Sequence, residues 1–164
     1  MSGTTNNEQL EIYLQDHYAA GVGALELVEH SVKAHEGTPW AIFFAELQNE
    51  IEADHEQLRN LLETLGFEAS ATRNAGAWVA EKLGRAKLGF SGGESAELRL
   101  FQTLETLALG ITGKRLLWRA IAEVRATSPV LQKTDFAQLE KRAADQFEKV
   151  EAKRLQAAKE SLGR

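Results

Sequence analysis

The chain has 164 residues, of which 43% are hydrophobic and 26% charged, the balance of one folded globular domain and not of a disordered chain. Lys and Arg number 19 against 24 Asp and Glu, a formal charge of -5, so the positive field that a phosphate backbone requires is missing and nucleic acid is not expected as a partner. The count of Cys 0 removes disulfides, thiolate nucleophiles, iron–sulfur ligation and Cys-containing zinc sites, and it suits the reducing cytoplasm.

Residues 1–7 form a polar stretch without the basic-then-apolar pattern of a signal segment, and are expected to be a flexible N-terminus to a single domain over 8–162. No run approaches the roughly 18 apolar residues that span a bilayer, so no transmembrane segment is expected. Over 8–36, the spacing Leu10, Leu14, Tyr18, Gly21, Leu25, Val28, Val32 predicts a long helix with one buried face. Gly37 closes it, Thr38 stands as an N-cap, and Pro39 takes the first position of a second helix, where its missing N–H costs nothing. The second stripe runs Trp40, Phe44, Leu47, Ile51, Asp54, Leu58, Leu61, Leu62, Leu65, and Gly66 supplies the stop. At about 1.5 Å per residue this helix spans roughly 39 Å.

The pattern then weakens into one shorter amphipathic helix over 75–88, with Trp78, Val79 and Leu83 on one side and Lys82, Arg85 and Lys87 on the other. A connection this long can return the chain to the end where the second helix began, so the second and third long helices are expected to run parallel. The third, over 94–126, carries one stripe at Leu100, Leu104, Leu107, Ile111, Trp118 and Ile121. A second stripe lies at Leu98, Phe101, Leu109 and Leu116. A helix apolar on two faces must cover both, so the second face is expected to meet the 67–93 segment or a second subunit in a homodimer. Pro129 reads as the hinge of another hairpin, and a fourth long helix over 135–162 shows Phe136, Leu139, Ala143, Phe147, Val150, Ala158 and Leu162 inward. The fold class is therefore all-α: two antiparallel helical hairpins joined by a long crossover that carries a short extra helix.

Chemistry is expected where polar residues interrupt an apolar stripe. Glu52 and His55 make a Glu-x-x-His pair, which sets a carboxylate and an imidazole about 60° apart on one helix wall, within reach of one metal ion. Asp54 falls on the Ile51–Leu58 line, and a buried carboxylate demands a cation, a metal or a proton. On the first helix, Glu26, Glu29 and His30 cluster on one side. They read either as a ligand group or as an intrahelical charge cluster of the kind that decorates surface helices. Ala19, Ala20, Gly21, Gly23 and Ala24 permit close helix approach, and equally leave room for a ligand pocket.

This arrangement, over essentially residues 8–162, resembles the ferritin-like superfamily, four-helix bundles whose dinuclear iron or manganese centre takes one Glu from each of two helices and a Glu-x-x-His from each of the other two. Carried over, the resemblance implies Glu52 and His55 on the second helix, Glu105 on the third and Glu26 or Glu29 on the first; a metal site built on it would use Glu26, Glu52, His55, Glu105 and Glu151, with O₂ or peroxide chemistry or metal storage. The second Glu-x-x-His is absent, since His17, His30, His35 and His55 all lie in the first third of the chain. The fourth helix offers Glu151 and Arg154 at the corresponding height, and a guanidinium there repels a dication but pairs with carboxylates. The favoured expectation is therefore a degenerate centre without a cofactor. In it Asp54, Glu52, Glu151 and Arg154 form a buried ion cluster, Lys114 supplies a second cation, and the protein has a binding or stress-related role. Iron or manganese bound at an incomplete dinuclear site is the alternative, and whether the chain is an enzyme stays open.

Overall fold

Residues 5–71 and 94–163 are described in the computed structural model of the chain, and within them every regular element is helical. The predicted short helix over 75–88, with its basic Lys82, Arg85 and Lys87, lies outside the described residues. The first helix, α1 (Asn6–Ala34), opens with a capping box. Glu8 N donates to Thr5 Oγ1 at 3.2 Å, and Thr5 N donates to Glu8 Oε2 at 2.6 Å. The helix thus begins ahead of residue 8, at Asn6 with Thr5 as its cap. The Thr-x-x-Glu spacing that would have placed this start was present in the sequence.

Gly37, at φ +79°, makes the turn into α2 (Pro39–Thr64), with Pro39 in the first turn as expected. Thr38 is the N-cap by position, yet its hydroxyl donates backward to His35 O at 2.7 Å instead of capping α2. Gly66, at φ +81°, ends α2 in a Schellman turn: Phe67 N donates to Leu62 O and Gly66 N to Glu63 O. The Gln15 side chain then ties the chain after α2 back to α1 by donating to Glu68 O and accepting from Ser70 N at 3.0 Å.

Ser95 caps α3 (Ala96–Val124), accepting from Leu98 N. After a 3-10 turn at Arg125–Thr127, Ser128 and Pro129 start a one-turn helix, α4 (Pro129–Gln132), before Asp135 caps α5 (Phe136–Leu162). The plain hinge expected at Pro129 is a helical turn instead, and α4 drops Leu131, with no exposed surface, into the core.

Contacts along the helices fix their directions. Tyr18 meets His55 while His35 meets Phe44, so α1 and α2 are antiparallel. Arg154 pairs with Glu105 while Trp118 stacks near Phe136, so α3 and α5 are antiparallel. Lys149 pairs with Glu50 and Arg142 with Asp54, so α2 and α5 are antiparallel and α2 runs parallel to α3. The core has two layers. One joins Leu27, Phe44, Leu104, Ile111 and Val150; the other joins Leu14, Leu62, Trp118, Leu131 and Phe136.

The first stripe of α3 is buried throughout, as expected, while its second stripe divides. Leu98 and Phe101 are half-buried, the latter under the Arg154 guanidinium 5.7 Å from its ring, whereas Leu109 and Leu116 are 54% and 56% exposed. On α5 the inward line is carried through Gln146 and Ala157, while Leu162 is exposed. Among the described residues no helix is long and apolar enough to cross a membrane.

Candidate functional site

Asp54 sits at mid-length of α2 on its buried line, only 2% exposed. Its Oδ2 accepts from Lys114 Nζ of α3 at 2.5 Å and from Gln146 Nε2 of α5 at 2.7 Å. Lys114 Nζ also donates to Gln146 Oε1, closing a three-membered ring of hydrogen bonds across three helices. Asp54 Oδ1 lies 2.8 Å from Arg142 Nη2, close enough for an ion pair, yet the angle fails for a hydrogen bond and this oxygen is buried without a donor. Burial pulls the Lys114 ammonium below its ordinary pKa, against the opposing pull of the Asp54 carboxylate. Such a pair is held in place by geometry, since losing either partner strands the other charge away from water.

The next residue of α2, His55, turns toward α1. Its Nε2 lies 3.0 Å from Tyr18 O, so the neutral ring donates there, and it stacks on the Tyr18 ring at 4.3 Å. Gly21 makes this possible: a Cβ at that position would stand 2.4 Å from His55 Cδ2. Burial lowers the pKa of His55, outweighing the Tyr18 carbonyl that raises it, and burial likewise lowers that of His17 against the nearby Asp16. The small-residue stretch of α1 thus serves the close approach that the sequence suggested, with an imidazole as the occupant.

Between the two core layers these residues line a cavity of about 100 Å³. Ala20, Gly21 and Ala24 form its α1 wall, Asp54 and His55 contribute from α2, and Gly110, Lys114 and Trp118 from α3. Gly110 is exposed, so the cavity reaches the surface beside it. Trp118 is 1% exposed, and its Nε1–H is buried without a hydrogen-bond partner.

The predicted metal ligands do not converge on this point. Glu52 is exposed and accepts from Gln48 Nε2 at 2.9 Å, on the opposite side of α2 from Asp54. Two residues along a helix turn the side chain by about 200°, so Glu52 and Asp54 cannot share a face. Glu26 and Glu105 are also exposed. His55 has its Nε2 committed to a backbone carbonyl, and an ammonium, Lys114, holds the buried carboxylate. Among the described residues no three His, Asp or Glu side chains group as a metal site requires, and this donor set does not fit a dinuclear carboxylate centre.

The expected single ion cluster of Asp54, Glu52, Glu151 and Arg154 is two clusters. Arg154 pairs with Glu151 at 2.6 Å and with Glu105 at 3.0 Å, at the edge of the bundle and apart from Asp54. Lys114 points inward to Asp54, whereas Arg154 lies along the bundle edge with Glu105 and Glu151. On α1, Glu29 pairs with Lys33 in an exposed i, i+4 bridge, while His30 is half-buried.

Gln146, Arg142 and Trp118 were not read as site residues. Gln146 had a legible signal, since with Leu139, Ala143 and Val150 it continues the inward line of α5. Arg142 had none, because a long side chain reaching in from a charged helix face is indistinguishable in sequence from a solvated one. Comparison with protein-family models, with curated proteins and with solved structures gives no match to this chain.

Proposed function

We propose that this chain is a ferritin-like four-helix bundle in which the Asp54, Lys114, Gln146 and Arg142 network stands where a dinuclear metal centre would lie. We further propose that it acts as a non-catalytic binding protein for a small, mainly apolar molecule held in the adjoining cavity. The ferritin-like reading is supported by two antiparallel hairpins, a long crossover over 65–95 and parallel α2 and α3. The mid-bundle placement of a buried carboxylate supports it further, and the cation at that carboxylate supports a role without a cofactor. A protective or sequestering role under stress follows naturally from binding without turnover.

The observation that carries the binding reading is the cavity itself. Protein interiors leave few voids larger than a water molecule, and an apolar cavity of about 150 Å³ is sufficient to hold benzene. The void of about 100 Å³ here is of that order, is lined mostly by aliphatic side chains, and reaches solvent beside Gly110. Titration of the intact chain with toluene, followed by calorimetry and by chemical shifts of the Trp118 indole, is expected to show saturable binding. Ala24→Leu, which fills the α1 wall, is expected to remove it while leaving the helical spectrum unchanged. Toluene that does not bind, or binds equally well to the Ala24→Leu chain, would overturn the assignment. Protein purified without chelator is expected to carry no stoichiometric iron or manganese, and about one ion per chain, lost in His55→Ala, would restore the metal-centre reading.

A further inference from the structure

Lys114 is placed unlike the lysines on the outer helix faces. Lys33 and Lys141 pair along their own helices with most of their surface in water, 67% of it for the Lys141 side chain, whereas the Lys114 side chain keeps 16% and lines the cavity. Its amine is also fixed in direction. Asp54 Oδ2 of α2 and Gln146 Oε1 of α5 each accept one of its three N–H bonds, which leaves the third for an occupant. Gly110 lies four residues earlier on α3, one turn away on the same face, so the cavity opens to the surface beside this side chain. The surrounding lining is aliphatic, with Leu107, Ile111 and Leu117 from α3 and Ile51 and Leu58 from α2. Burial among these groups lowers the proton affinity of the amine, against the pull of the Asp54 carboxylate.

We propose that Lys114 captures small apolar aldehydes in this cavity as imines, so that the occupant is held covalently and reversibly. This rests on the cavity being a ligand site. An aldehyde suits the wall because its body meets the aliphatic lining, its carbonyl oxygen accepts from the third N–H, and it brings no donor or charge that would be left unpaired. The Lys114 ammonium passes one proton to Asp54 Oδ2, its hydrogen-bond partner, and the freed electron pair of Nζ forms a bond to the carbonyl carbon. The oxygen collects one proton from the nitrogen and one returned by Asp54, its bond to carbon breaks, and it leaves as water. A protonated imine with one N–H remains. It keeps the positive charge that the buried Asp54 carboxylate requires, so capture strands no charge. Water reverses the same steps, and neither direction needs an oxidant or a reductant. An exposed lysine offers the same amine without the pocket that holds the aldehyde against it.

The test is treatment of the intact chain with benzaldehyde and cyanoborohydride at neutral pH, which fixes any imine as a benzyl group that peptide mass mapping assigns to a lysine. Lys114 is expected to be labelled at least about tenfold faster than Lys33 or Lys141. Excess toluene, which competes for the cavity, is expected to slow labelling at Lys114 about fivefold or more and to leave Lys33 and Lys141 unchanged. Ala24→Leu, which keeps Lys114 and fills the cavity, is expected to remove its advantage. Lys114→Arg retains a cation beside Asp54 and is expected to remove the fast label from the whole chain. Lys114 labelled no faster than Lys141, in a chain that binds toluene, would overturn aldehyde capture and leave the cavity reading intact. Fast labelling that neither toluene nor Ala24→Leu reduces would overturn capture inside the cavity. A chain that neither binds toluene nor favours Lys114 would overturn both readings.

Discussion

Asp54 with Lys114, Gln146 and Arg142, and Arg154 with Glu151 and Glu105, both join α5 to a neighbouring helix through acids and bases at hydrogen-bonding distance. They differ in their access to water. Asp54 is 2% exposed, whereas the side chains of Glu105 and Arg154 keep 49% and 23% of their surface. In the first group, charges removed from solvent can be satisfied only by one another. In the second, water competes for every contact, and the Glu151 carboxyl is held below its ordinary pKa chiefly by the Arg154 hydrogen bond. Helical phase, not residue type, separates the two, and so it decides which cluster can organise a site.

The sharpest way to break this comparison is to remove one member of each. Lys114→Met leaves the buried Asp54 with only the partly exposed Arg142 as a cation and Gln146 as a donor, and is expected to cost about 3 kcal/mol in urea unfolding. Arg154→Met is expected to cost less than about 1 kcal/mol, as exposed pairs do. Replacing the buried set together, Asp54→Leu with Lys114→Met and Gln146→Leu, is expected to recover most of the loss, because no charge is then stranded. Equal costs for the two single changes would show that the clusters do not differ as their burial implies.

A second test addresses the close approach of α1 and α2. Gly21→Ala puts a Cβ 2.4 Å from His55 Cδ2, and the ring cannot withdraw without giving up Tyr18 O. An overpacked site of this kind is expected to lose about 1–3 kcal/mol. In a chain already carrying His55→Ala, the same Gly21→Ala change is expected to be neutral or stabilising. A cost that persists without the imidazole would place the constraint elsewhere.

The pH dependence follows from the same two helices. Burial lowers the pKa of His17 and of His55 below the value of about 6.5 that applies when unfolded. The unfolded chain then binds protons first as pH falls, so stability is full above about 6.5 and declines through the lowered folded pKa values. This decline begins well above the carboxylate range, in which Glu56 and Glu151, both lowered by arginine partners, lose their contributions. His17→Asn with His55→Asn is expected to flatten the urea midpoint between pH 7 and pH 5, and an unchanged slope would assign it to other groups.

The sequence made the long helices legible because each repeats an apolar stripe over many turns, and Gly37, Pro39 and Gly66 punctuate them with strong local preferences. The parallel run of α2 and α3 was legible from the length of the connection alone. The site was legible only where one residue broke a stripe, as Asp54 and Lys114 do. Glu52 and Arg154 were misplaced because pairing them needed relative heights and phases across helices, and an error of one residue turns a side chain by about 100°. Arg142 and the Trp118 N–H escaped because long or mixed side chains put their polar ends where the backbone pattern gives no information.

The smallest expected effect separates the cavity from the helix that walls it. A Cβ added at Gly110 or at Gly113 meets nothing within 4 Å, so neither glycine is required by packing. Each sits inside α3, where glycine costs about 0.5–1 kcal/mol relative to alanine. Gly110→Ala and Gly113→Ala are therefore both expected to raise stability by about that amount in urea unfolding. They should differ in binding, because Gly110 lines the cavity and Gly113 does not. Gly113→Ala is expected to leave toluene affinity unchanged, whereas Gly110→Ala narrows the mouth and is expected to slow or weaken binding. Two equally stabilised chains with equal affinities would move the mouth of the cavity away from Gly110, and with it the reason for keeping a flexible residue in the middle of a long helix.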